Sequence, residues 1–128
     1  MGVSSAVYAS YVMKYFSGTS HYSNERMRTA SQIKNDNTPA SVKYVSGSSS
    51  TLYVELWGSD GTSADAYNFT QVHKINGINR TYYTVPKGCY TTIHNTLYEH
   101  YKTSAYASLV FWTYKAETVA GQWSCTTK

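Results

Sequence analysis

Thr51-Leu52-Tyr53-Val54-Glu55-Leu56-Trp57 alternates aliphatic residues with larger amphipathic ones at a period of two. Successive side chains of a strand point to opposite faces, so Leu52, Val54 and Leu56 fall on one side and Tyr53, Glu55 and Trp57 on the other. A helix would scatter the same aliphatic residues around its axis. Gly47-Ser48-Ser49-Ser50 precedes the stretch and reads as a flexible hairpin connection. Gly58-Ser59-Asp60-Gly61-Thr62-Ser63 follows it and turns the chain. The stretch is therefore a strand whose aliphatic face is buried.

The same period recurs on both sides. In Ala6 to Phe16, Val7, Ala9, Tyr11, Met13 and Tyr15 share a face, and Ser17-Gly18-Thr19-Ser20 closes the segment. From Arg26 to Asn35, Met27, Thr29, Ser31 and Ile33 oppose Arg28, Ala30, Gln32 and Lys34, a set suited to solvent. Asn35 to Pro39 is a turn. Ser41 to Val45 is a short strand, Tyr67 to Lys74 alternates again, and Asn76-Gly77 marks a hairpin reversal. Arg80 to Val85 ends at Pro86. From Cys89 the pattern predicts a strand to about Ile93 and then an irregular or strand-like continuation, with a helical turn from Asn95 to Tyr101 as the alternative. Ser108 to Glu117 and Gly121 to Cys125 complete the set. Seven or eight short strands without a convincing helix predict an all-β fold, an antiparallel β-sandwich with a closed barrel as the runner-up. Parallel βαβ units lack a crossover of helical period. With no repeat or linker, residues 2–128 read as one domain, Met1 being set aside as an expression start.

Composition suits a domain that works outside the cell. Fourteen Tyr and 33 Ser plus Thr stand against only 14% charged residues, so hydroxyls must supply the surface that charges usually provide. The expected setting is secreted. The net charge of +4 is spread over scattered Lys and Arg, which argues against nucleic acid and fits weak attraction to an anionic wall or membrane surface. Apolar runs extend only a few residues, so no transmembrane segment is expected. Cys89 and Cys125 lack metal-site spacing, and in an oxidising compartment they are expected to form a disulfide. It would close a loop of about 37 residues, adding roughly 3–4 kcal/mol. Two unpaired buried thiols are the alternative.

Several short motifs carry a likeness. Arg28-Thr29 running into Asn37-Thr38-Pro39, Thr81-Tyr82-Tyr83-Thr84-Val85 before a glycine, Tyr90 followed by Asn95, and the Gly121-Gln122-Trp123-Ser124 ending span residues 26–125. In this order they resemble a family of small secreted β-sandwich proteins of unknown function from Gram-positive bacteria. The resemblance implies secretion and an all-β fold, and no activity. Gly2-Val3-Ser4-Ser5-Ala6 and the Ser17 to Ser23 stretch are similar, more faintly, to secreted β-sandwich bacteriocins that act at cell-wall precursors.

The sequence holds no HExxH, GxSxG or phosphate-binding glycine loop, and its four histidines fit no ligand spacing, so no metal or cofactor is expected. Asp60, Ser63 and Asp65 only faintly suggest a calcium-binding turn. A compact secreted hydrolase would have to assemble its site from Glu55, His73, His94 or Glu99. The aromatics are the better lead. Tyr53 and Trp57 share the face opposite the aliphatic set, and Tyr8 and Tyr82 stand out similarly. Such residues bind sugars by stacking or anchor protein partners. The expectation is a secreted, non-enzymatic protein binding a glycan or protein of a cell envelope through Tyr53, Trp57, Tyr8 and Tyr82. A bacteriocin-like protein and a carbohydrate-binding module are its two forms.

Overall fold

The computed structural model describes residues 13–61 and 66–127. Its strands are β1 (Lys14–Thr19), β2 (Met27–Arg28), β3 (Gln32–Lys34), β4 (Ala40–Ser46), β5 (Thr51–Ser59), β6 (Tyr67–Asn68), β7 (His73–Ile75), β8 (Ile78–Arg80), β9 (Tyr83–Pro86) and β10 (Tyr90–Ile93). A short helix, α1 (Leu97–Tyr101), precedes β11 (Ala105–Trp112) and β12 (Thr118–Ser124). Strand makes up 55% and helix 5% of the described residues, so the class is all-β. One antiparallel sheet has the order β1-β12-β4-β10. In the other, β2 and β3 line one side of β11, β5 lies on its far side, and β6 and β9 border β5. The hairpin β7–β8 stands apart from both.

The two sheets share one core. Leu52, Val54 and Leu56 of β5 are fully buried, as their alternation predicts, beside Leu109 and Phe111 of β11. Facing them are Val42 and Tyr44 of β4, Val119 and Trp123 of β12, and Phe16 of β1. Phe16 and Phe111 meet ring to ring across the layers, 4.9 Å between centroids. The arrangement fits a β-sandwich.

The strands number more than seven or eight in part because two expected strands break, while Ile78–Arg80 adds a separate strand before β9. Both breaks use threonine. Between β2 and β3 the pairing with β11 slips by one residue: Arg28 faces Val110, yet Ile33 faces Tyr106. Thr29 bridges the slip, its backbone N–H bonding the Leu109 carbonyl and its Oγ1 accepting the Leu109 N–H at 3.0 Å. A one-residue bulge reverses every later side chain. Lys34, expected in solvent, is therefore buried, and Ile33 is 60% exposed. Lys34 Nζ donates to the carbonyls of Thr38 and, at 2.7 Å, of Cys125, with Asp36 at 3.9 Å. After β6, Thr70 Oγ1 likewise accepts the Leu56 N–H at 2.8 Å, and regular pairing stops.

Three other expectations change. β1 runs on through Ser17-Gly18-Thr19 and buries Phe16, leaving Tyr15 66% exposed. The strand-like continuation after Ile93 is α1, seated by Leu97 over Gly58. The Cys89–Cys125 disulfide does not form: both thiols are free, Cys89 exposed and Cys125 buried. β4 lies between the strands that carry them. Cys89 precedes Tyr90, which pairs with Lys43, whereas Cys125 follows Ser124, which pairs with Ser41. An intervening strand and a stagger of about 13 Å along it put the sulfurs out of bonding reach.

Candidate functional site

The outer face of the β5–β11 pair gathers the largest contacting cluster of tyrosine and tryptophan rings among the described residues. Trp112 pairs with Tyr53, Val110 with Glu55 and Ser108 with Trp57, so these six side chains share one face. Tyr53 is the hub. Its ring stacks on Trp112 at 5.9 Å, meets Tyr82 edge-on at 5.8 Å and lies 4.7 Å from Tyr114. Tyr82 also meets Trp112 edge-on, at 5.7 Å. Burial, and then the adjacent Tyr114 hydroxyl, push the Tyr53 phenol up to about 12.

Arginines cover this face. The Arg26 guanidinium lies 3.4 Å over Trp112, whose exposure is only 4%. Arg28 donates to Ser108 Oγ at 2.9 Å and sits 5.5 Å over Trp57. Arg80 lies 5.9 Å over Tyr82. Glu55, buried beneath them, accepts the Trp57 indole N–H at 2.8 Å. Tyr53 and Tyr82 are thus in contact, while Trp57 lies two rungs along under its own arginine. Tyr8 lies outside the described residues.

Beside Tyr53 the chain forms a concavity of about 380 Å³, walled by Ser48, Ser49, Ser50 and Thr51 on one side and by Tyr53, Tyr114 and Lys115 on the other. The serine loop, expected to be flexible, is fastened on three sides. Glu117 Oε1 accepts Ser48 N (2.7 Å), Ser48 Oγ (3.1 Å) and Ser49 N (3.1 Å), and Oε2 accepts Ser49 Oγ and Thr113 Oγ1 (2.7 Å). The buried Tyr44 hydroxyl donates to the Ser49 carbonyl at 2.6 Å. Lys87 donates from Nζ to the Gly47 carbonyl and from its backbone to that of Ser50. Burial alone would raise the Glu117 pKa, but the Ser49, Thr113 and Ser48 donors outweigh it and lower it to about 2. The carboxylate is an anchor that stays ionised.

The groups considered for hydrolysis do not converge. His73 stacks on Tyr83 at 3.8 Å and its Nε2 bonds the Tyr82 carbonyl, which can only accept, so the proton sits on Nε2. His94 and Glu99 are exposed, on β10's end and on α1. Among the described residues no hydrogen bond or ion pair joins any two of Glu55, His73, His94 and Glu99, and no group of three His, Cys, Asp or Glu could hold a metal. Of the suggested calcium turn, Ser63 and Asp65 lie outside the described residues. A second concavity, about 460 Å³, opens between β1 and the Arg28–Gln32 bulge, but its Trp123 is 1% exposed and gives its ring to the core.

Sequence reading missed Trp112, Tyr114, Arg26, Lys115, the serine loop and Glu117. Trp112 and Tyr114 are two apart and share a face, a signal that was present in the chain. The meeting of Tyr53 with Tyr114 was not, because it needs the β5–β11 register. Comparison with protein-family models, curated proteins and solved structures finds no match to this chain.

Proposed function

We propose that this chain is a secreted, non-catalytic binding domain that holds a glycan of a cell envelope in the concavity between its serine loop and the Tyr53–Tyr114 pair. The observation that carries the reading is the combination within one concavity of two phenol rings from separate elements and three serines, Ser48 and Ser49 fixed by Glu117 and Ser50 by the Lys87 backbone. Sugars bind by laying apolar ring faces on aromatic side chains while hydroxyls exchange hydrogen bonds with fixed polar groups. A preordered loop spares the cost of immobilising it on binding. The hydroxyl-rich composition supports the extracellular setting, now without help from a disulfide.

Titration calorimetry of the full chain against envelope oligosaccharides tests this. Tyr53→Ala and Tyr114→Ala should each weaken binding at least tenfold, about 1.4 kcal/mol, with the fold retained by circular dichroism. Binding that survives both substitutions would sink the proposal. The bacteriocin-like form adds one consequence, growth arrest of susceptible cells, which a spot assay reads.

A further inference from the structure

Resting on the glycan-binding reading above, we propose that the ligand is acidic: an anionic, polyhydroxylated chain whose carboxylates or phosphates meet Lys115, Arg80 and Arg26 while its rings or polyol backbone lie on Tyr53 and Tyr114. Lys115 lines the concavity itself. Arg80 and Arg26 lie over Tyr82 and Trp112, the two rings that touch Tyr53 on its other sides. Among the described residues none of the three cations forms an ion pair; the ion pairs there are His21–Glu25 and Lys34–Asp36.

The carboxylates in this region are otherwise engaged. Glu117 is saturated by five donors, and Glu55 is buried against the Trp57 indole. Around the stacking platform the cations are therefore the charges left without a charged partner, while the Glu117 charge is held by its five donors behind the serine wall. Covering these cations with a neutral sugar removes water from them and returns only hydrogen bonds to hydroxyls, whereas an acidic chain pairs its charge with them as it stacks. The guanidinium fork suits either a carboxylate or a phosphate. Long-range attraction from the +4 net charge would add to the association rate and fade with salt.

The test titrates the full chain, at low and at high salt, with three probes of equal length: a neutral hexose oligosaccharide, a hexuronate oligosaccharide and a polyol-phosphate oligomer. The acidic probes should bind at least tenfold tighter than the neutral one at low salt, and the gap should close at high salt. Whichever acidic probe binds more tightly identifies the source of the charge. Lys115→Gln should remove most of that gap and Arg80→Gln part of it, each lowering acidic-probe affinity more than neutral-probe affinity. Lys102→Gln removes the same charge at the far end of β11 and should change little. Equal affinity for neutral and acidic probes, or a gap untouched by Lys115→Gln, overturns the acidic preference and leaves glycan binding standing. Failure of all three probes takes down both.

Discussion

At the residue scale Glu117 connects stability with function. Its carboxylate satisfies two backbone N–H groups and three hydroxyls, and hydrogen bonds to a charged group contribute about 1.5–3 kcal/mol each where they are shielded from water. Because Glu117 is partly exposed, the net effect is smaller than that sum. Glu117→Ala should destabilise the fold by about 1–3 kcal/mol in urea melts at pH 7. The sign with pH follows from a folded pKa of about 2 against the ordinary value of 4.5. The stabilisation is complete above pH 4.5 and disappears as pH falls toward 2. Melts of wild type and Glu117→Ala should therefore converge near pH 2 and separate by pH 5. A constant difference across that range would show that the carboxylate's charge is not what holds the loop. Glu117→Gln keeps the shape and removes the charge, so it should loosen the Ser48–Ser50 wall and weaken glycan binding more than it lowers stability.

At the element scale, α1 exists because β5 makes room for it. Gly58 lies opposite Ala107 in mid-sheet, and a Cβ there would collide with Leu97, meeting Cδ2 at 2.6 Å. Gly58→Ala should cost about 1–3 kcal/mol by overpacking, and Leu97→Ala about 2–5 kcal/mol by leaving a cavity. Combined, they should cost clearly less than their sum, since the added methyl group occupies space the leucine vacates. Strict additivity in denaturant melts would show that the glycine is not the seat of the helix. The same residues show what the sequence could and could not reveal. Leu52, Val54 and Leu56 were legible because burial on one face of a strand leaves a period of two. Lys34 was not: its alternation with Arg28 holds only if the strand is continuous, and the Thr29 bulge is invisible until β11 is alongside. α1 was legible only as an alternative, because five residues are too few to establish a helical period. The aromatic site was half legible for a similar reason. Tyr53, Trp57 and Tyr82 declare themselves as side chains left over from the core, but Trp112, Tyr114 and the serine wall reach them only through cross-strand register.

At the scale of the whole molecule, the two cysteines report on cooperativity rather than on covalent bracing. Cys89 sits exposed in the turn before β10 and is open to reagent. Cys125 is 2% exposed, donates its S–H to the Ile33 carbonyl at 3.3 Å, and donates its backbone N–H to Gln32 Oε1 at 2.8 Å. Burial pushes its thiol up to about 11, against the opposing influence of Lys34. These contacts tie the end of β12, in one sheet, to β3, in the other, so exposing the Cys125 sulfur means parting the layers. Thiolate is the reactive form, and at pH 8 a thiol of this pKa is almost entirely protonated even when reached. Treatment of the native chain with iodoacetamide at pH 8 should add one group promptly, and intact mass should show the second only under denaturant or at the rate of opening. A core substitution such as Leu109→Ala, expected to cost about 2–5 kcal/mol, should accelerate the second addition in proportion to the lost stability if opening is global. If the second addition is unaffected while melts show the destabilisation, Cys125 is exposed by local fraying of residues 124–127, and the sheets are not joined through it. Two immediate additions would mean that the β12 end is open in the native state. No addition without prior reduction would mean that the sulfurs are bonded after all, which requires β4 to leave its place between them.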